Sequence, residues 1–219
     1  MNTLTEIPTV NTILNTMLTA QKKDLFESLL RSVNREGMEN VIAFLNNTDF
    51  YTAPSSASYH SNYPGGLLDH SLIVYSTAMR YRSSVLEMMP ELEAKLPEES
   101  VIVATLLHDI CKTCFYKPTT KWKKDANNQW MQYPGYEIED TFPIGHGEKS
   151  VIMLQNFGLK LTADEMLAIR YHMGSWDGAM LTNDVKFSYQ TAMNMCPLMT
   201  IVQNADSTSS LLFEKQNTY

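Results

Sequence analysis

An all-α domain interrupted by one small β-hairpin is the fold this chain predicts, and three observations carry the prediction. Apolar residues recur at three- and four-residue spacing through most of the sequence. Capping and breaking residues bracket those stretches. Only Phe115 to Phe142 departs from the pattern, with polar and aromatic residues around a turn rich in Asn and Asp.

Val10–Leu18 and Lys22–Val33 carry the helical spacing, the second ending near Gly37. Met38–Leu45 continues helical until Asn46-Asn47-Thr48-Asp49, whose short polar side chains compete with the backbone ladder. Phe50 to Gly66 holds Pro54, Pro64, Gly65, Gly66 and several serines, so it reads as a long ordered loop or a lid. Leu67–Arg82 is a strong helix. Pro97-Glu98-Glu99-Ser100 supplies the proline and acidic first turn expected where a Val101–Lys112 helix begins. Lys121–Lys124 and Gln129–Tyr133 then flank Asp125-Ala126-Asn127-Asn128 as a hairpin. Helices resume at Gly145–Phe157, at Thr162–Met173 with Thr162 as cap and Glu165 closing a capping box, and at Tyr189–Glu214. The expected organisation is a helical segment at 1–48 packed on the body, and a main domain at 49–219 with its hairpin at about 115–142.

A chain of 219 residues with 44% hydrophobic content builds a sizeable core without disulfides. A net charge of −7 argues against a broad surface for long duplex nucleic acid, yet leaves a small phosphorylated ligand open. No apolar run is long enough for a bilayer, so no membrane association is expected. Met1 to Ala20 lacks a basic region ahead of an apolar stretch, so no signal peptide is expected. Three cysteines, an odd number, fit the reducing cytoplasm. Cys111 and Cys114 form a lone C-x-x-C with no second pair, and read as two small residues on a packed helix.

Within that frame His108 and Asp109 stand out, because they end an almost wholly apolar run from Val101 to Leu107. A buried carboxylate must be neutralised, hydrogen-bonded or bound to a metal. Of the five histidines, His70, His146 and His172 also lie in or at the start of expected helices, and Asp206 follows another apolar stretch. The ordered pattern is His, His-Asp, His, His, Asp. Imidazole with carboxylate suits manganese, iron, cobalt, nickel or zinc, and the long intervals suit ligands drawn from five successive helices around one pocket.

The segments Gly65-Gly66-Leu67-Leu68-Asp69-His70, Leu107-His108-Asp109-Ile110-Cys111-Lys112, Gly145-His146-Gly147-Glu148, Tyr171-His172-Met173-Gly174 and Ala205-Asp206 resemble the HD-domain superfamily of metal-dependent phosphohydrolases. The resemblance runs from about Asp49 to about Glu214. It implies two divalent metal ions, one held by His70, His108, Asp109 and Asp206, with Asp109 bridging to a second held by His146 and His172. Such a pair would clamp a phosphoryl group and lower the pKa of a water to give hydroxide at neutral pH. Lys112 would neutralise the phosphoryl oxygens. Cys111 stands where members commonly carry glycine, which removes no ligand. The implied substrate is a nucleotide, a cyclic nucleotide or a short oligonucleotide. Some similar proteins use nearly the same ligands for two irons and activate oxygen on a small organic substrate, which is the alternative reading. A third is a binding module without chemistry, against which all six ligand positions and Lys112 are present.

Several residues remain open at this level. His60, ahead of the glycine pair, is read as a catalytic residue that meets the substrate phosphate or donates a proton, against simple loop packing. Asp69 either orients a ligand or is a solvated carboxylate. Arg170 and Lys149 either reach substrate or are surface cations. Trp122, Trp130 and Tyr133 either stack on a base or sugar or pack the hairpin onto the body, and Lys121, Lys123 and Lys124 form the one concentrated basic patch.

Overall fold

The computed structural model describes residues 7–214, so the outer ends of the two expected segments, 1–6 and 215–219, lie outside the described residues. The chain is mainly helical: α1 Val10–Asn15, α2 Thr19–Ser32, α3 Met38–Asn46, α4 Gly66–Met88, α5 Glu98–Leu107, α6 His146–Asn156, α7 Ala163–Arg170, α8 Asn183–Met195 and α9 Pro197–Thr208. The hairpin strands are β1 Tyr116–Lys124 and β2 Trp130–Ile138. No helix among the described residues is long and apolar enough to cross a membrane.

α4 and α5 form the middle of the bundle. Every residue from Gly66 to Met79 and from Ser100 to Leu107 is buried. Two of their hydroxyls are satisfied within the helix: Ser71 Oγ donates to the Leu67 carbonyl at 2.9 Å and Thr105 Oγ1 to that of Val101 at 2.6 Å. α9 packs on both α4 and α7, and Ile13, Phe26, Leu30 and Val41 bring α1 to α3 into the same core. The capping box at α7 forms as expected, with Thr162 N–H donating to Glu165 Oε2 at 2.9 Å and Glu165 N–H to Thr162 Oγ1 at 3.2 Å. Glu165 is fully buried because it also accepts from Arg35 and Ser100.

Two expected helices are interrupted. Val101–Lys112 is not continuous: α5 stops at Leu107, and Ile110–Lys112 forms a tight 3₁₀ turn. Tyr189–Glu214 is two helices, because Pro197 cannot donate to the ladder and instead opens α9. α9 then passes into a wide π turn at Ser209–Phe213 that ends on Glu214. The cysteine pair lies on no helix; Cys111 sits in the 3₁₀ turn and Cys114 just beyond it, exposed.

β1 and β2 pair antiparallel from Tyr116↔Ile138 to Lys124↔Trp130. The strands run further than the residues suggest, through Pro118 and through Pro134-Gly135. In a two-stranded ribbon each strand is an edge, where proline leaves no broken ladder bond. Asp125 closes the turn by accepting from the backbone N–H of Asn127 and Gln129, both at 2.8 Å.

Candidate metal centre

The fold brings together all six side chains singled out by the pattern. His70 lies in α4, His108 and Asp109 follow the last turn of α5, His146 opens α6, His172 follows α7, and Asp206 lies in α9. They do not come from five successive helices, since α8 intervenes between His172 and Asp206. Four of the six, three of them histidines, lie at or just beyond helix ends rather than in helix interiors.

Helix ends suit the imidazoles. The last carbonyls of a helix lack intrahelical partners, and His108 Nδ1 donates to the Thr105 carbonyl while His172 Nδ1 donates to that of Ile169, both at 2.7 Å. A carbonyl only accepts, so each ring carries its proton on Nδ1 and a bare lone pair on Nε2. His70 is set the same way by Glu214, whose Oε1 lies 2.7 Å from His70 Nδ1. Glu214 is buried, and its second oxygen accepts from Ser61 Oγ at 2.5 Å.

Those bare nitrogens converge. His70 Nε2 and His108 Nε2 are 3.1 Å apart, a distance at which two lone pairs repel unless a proton or a cation sits between them. Asp109 Oδ2 lies 3.3 Å from His108 Nε2 and 3.4 Å from His70 Nε2, and Asp206 Oδ1 is 3.3 Å from the latter. The other oxygen of Asp109, Oδ1, lies 2.6 Å from His146 Nε2 and 3.5 Å from His172 Nε2. Two donor sets therefore share one carboxylate: His70, His108 and Asp109, and Asp109, His146 and His172. Neutral imidazole with carboxylate, converging and braced from behind, is a donor chemistry that fits a divalent first-row cation.

The electrostatics draw positive charge, as a proton or a cation, to His70 Nε2. Burial alone would lower the pKa of His70, but Glu214, Asp109 and Asp206 outweigh it and hold the pKa well above the ordinary imidazole value. Burial lowers His108 and His146. Burial opposes ionisation of Asp109, yet Lys112 and His108 hold its carboxyl well below the usual range. Asp206 is also depressed, by His70 above all, against its burial.

His146 is braced differently. Gly147 admits no Cβ without overlap with the Arg170 backbone, so the first turn of α6 lies against the end of α7 and brings His146 beside His172. Behind His146, Nδ1 meets Cys111 Sγ at 3.1 Å. Burial pushes that cysteine to about 12, so it stays a thiol.

The centre opens onto a cavity of about 590 Å³ whose walls include Ser55, His60, Lys112, Tyr116, Trp176 and Leu211. That volume suits a small organic ligand. Lys112 Nζ lies 2.6 Å from Asp109 Oδ2 at the cavity wall. His60 packs on His70 with ring centroids 4.8 Å apart, and its Nε2 is buried without a hydrogen-bond partner. Burial, then the charges of His70 and Lys112, pull its pKa down to about 4, so it meets the cavity as neutral imidazole. Gly65 and Gly66 make this packing possible: Gly65 has φ 84°, and a Cβ at Gly66 would overlap the Ser61 carbonyl.

The open residues now fall into place. Asp69 neither touches a ligand nor faces solvent; it is buried and pairs with Lys22 at 2.7 Å and Tyr63 at 3.1 Å. Arg170 is held by Glu148 and Asp177, at 2.5 and 2.6 Å, and Lys149 pairs with Asp140. Neither cation lines the cavity. Trp122 and Trp130 do not pack the hairpin onto the body, being 57% and 65% exposed. Glu214 was invisible to residue-level reading as a partner of His70, because 144 residues separate the two and no spacing rule connects them.

A family model described as HD domain matches residues 67–211. No curated protein and no solved structure matches the chain.

Proposed function

Because the chain belongs to the HD-domain family, whose members are in general metal-dependent hydrolases, we propose that it is a phosphohydrolase acting on a nucleotide, a cyclic nucleotide or a short oligonucleotide. One observation supports the reading above the others. Asp109 turns one oxygen to His70 and His108 and the other to His146 and His172, so two donor sets meet at a single buried carboxylate. In this reading His70, His108, Asp109 and Asp206 hold one divalent cation, and Asp109, His146 and His172 hold a second. The cations would neutralise phosphoryl charge and acidify a bound water.

The remaining work falls to the chain's own groups. Lys112 holds Asp109 in place and presents an ammonium to the cavity, where it offsets the charge of the substrate's phosphoryl oxygens. His60 lines the same space as a neutral imidazole with an unpartnered Nε2, available to accept a hydrogen bond or a proton from a group bound there. Glu214 and the carbonyls of Thr105 and Ile169 fix imidazole orientation and donor polarity. A cytoplasmic location is part of the reading, with all three cysteines free.

The test is elemental analysis of the purified protein, then a panel of nucleotides, cyclic nucleotides and short oligonucleotides assayed with the matching metal. Phosphate release or phosphodiester cleavage is expected. Lys112→Ala should lower turnover at unchanged metal content. Full activity in Asp109→Ala, or oxygen consumption by iron-loaded protein without any phosphate release, would overturn the proposal.

A further inference from the structure

The hairpin exposes more aromatic surface than its own packing requires. Directly paired and alternate residues share a face of an antiparallel ribbon. The observed pairing therefore puts Tyr116, Trp122, Lys124, Trp130 and Tyr136 on one side. Trp122 stands opposite Gln132, two residues from Trp130, so the two indoles are diagonal neighbours. Lys124 Nζ lies 5.5 Å from the centre of the Trp130 ring. The opposite face is turned toward the body: Lys121 Nζ reaches the Ala57 carbonyl at 3.4 Å and Ser58 Oγ at 3.2 Å, in the loop that carries His60. The aromatic face is thereby held outward, and at its base Tyr116 forms part of the cavity wall.

Its charge is opposite to that of the whole molecule: Lys124 stands on it and no carboxylate of either strand does, in a chain of net charge −7. The other lysines of β1 alternate onto the opposite face, where Lys117 pairs with Glu139. The acid that follows, Asp125, is taken up by turn N–H groups. An exposed pair of indoles alone would suit another apolar surface. Indoles with an ammonium alongside and no carboxylate on the same face suit a ligand that is both anionic and flat-faced. Single-stranded nucleic acid is that ligand, because its bases stack on aromatic rings and its phosphates attract lysine. A duplex hides its base faces, and the acidic remainder of the chain offers it no continuous track.

We propose that the Trp122–Trp130 face of the hairpin docks the single-stranded tail of an oligonucleotide whose terminal phosphate lies in the metal-centre cavity. The inference rests on the phosphohydrolase reading and narrows its substrate class to oligonucleotides. At about 3.3 Å per residue, β1 carries Trp122 about 20 Å from Tyr116. That span corresponds to about six nucleotides at a stacked rise of about 3.4 Å, and to fewer when the strand is extended. Mononucleotides cannot bridge it.

Binding can be read without turnover. Fluorescently labelled oligothymidylates of two to twelve nucleotides are titrated by anisotropy with full-length protein in excess chelator, at two salt concentrations. Affinity should rise with length up to about six nucleotides and then level, and should fall with added salt. Trp122→Ala/Trp130→Ala should weaken binding of the twelve-mer tenfold or more, with Trp122→Phe/Trp130→Phe recovering much of it. Both positions are exposed, and circular dichroism is the check that the variants fold. Length-independent binding, an unchanged Kd in the double alanine variant, or equal affinity for duplex of the same sequence would each overturn the proposal. So would a wild-type dimer made monomeric by the double variant with oligonucleotide binding unaffected, which would assign the face to self-association. Binding that depends on the indoles, without cleavage of any oligonucleotide once metal is restored, would leave docking intact and remove the hydrolase reading. Cleavage of nucleotides with no role for the indoles would do the reverse.

Discussion

The two halves of the candidate centre are built to different standards. His70 and His108 stand on the two central helices, at 1% and 0% exposure, and His70 is braced by a buried carboxylate that is itself held by Ser61. His146 stands at the first residue of α6, directly after an exposed stretch, with 27% of its side chain exposed and a thiol behind it. A carboxylate behind an imidazole raises its basicity and fixes its orientation, whereas a neutral thiol does little of either. The contrast indicates that one half is a fixture of the core and the other a feature of the rim, joined only by Asp109 and the end of α7.

The largest effect should come from removing that joint. Asp109→Asn takes an anionic donor from both halves, so activity should drop on the order of a thousandfold or more, equivalent to about 4 kcal/mol of barrier, with metal content lost in the same preparation. Rate and elemental analysis on one sample check it.

Next in size is the brace itself. Glu214→Gln keeps the shape but loses the charge behind His70, and should weaken metal affinity about 10- to 100-fold. Cys111→Ala, behind His146, should cost no more than about threefold by the same competition assay. Equal losses in the two variants would erase the proposed asymmetry.

Chelator titration probes the same contrast directly. Metal should leave in two phases, and His146→Ala should abolish the weaker phase while retaining the tighter. Loss of both phases in His146→Ala would mean that the halves do not act separately.

The last test concerns His60, beside the core half, and reads stability in place of metal or rate. Its folded pKa of about 4 lies below the ordinary 6.5, so as pH falls the unfolded chain takes up the proton first. Metal-free protein should therefore lose stability between about pH 6.5 and 4, by at most about 3 kcal/mol from this residue. His60→Asn should flatten that part of the profile in denaturant unfolding. An unchanged slope would show that His60 is not held neutral.

Much of this was legible in the sequence. The helical spacing, the capping box at Thr162 and the hairpin turn at Asp125 report local chemistry, which the structure preserves. His108, Asp109 and Asp206 were legible because they end or follow apolar runs, whereas His70, His146 and His172 were legible only as members of the ordered pattern and the resemblance it carries. The end of α5 was not, since nothing among Leu107, His108 and Asp109 marks a stop; the helix ends where His108 turns back onto the Thr105 carbonyl. The division of the last helix was overlooked although Pro197 announces it. Glu214 and Lys22 had no signal at all, because their importance comes from partners that only folding brings near.

Those two partners bear on where the molecule can be cut. The stretch shared with the family, 67–211, contains every one of the six donors but excludes Lys22, Ser61 and Glu214. A fragment trimmed to those limits would take the cation and the covering helices from the Asp69 carboxylate and leave the ring of His70 free to rotate. The shared stretch names the donors, and the flanking segments keep them aimed.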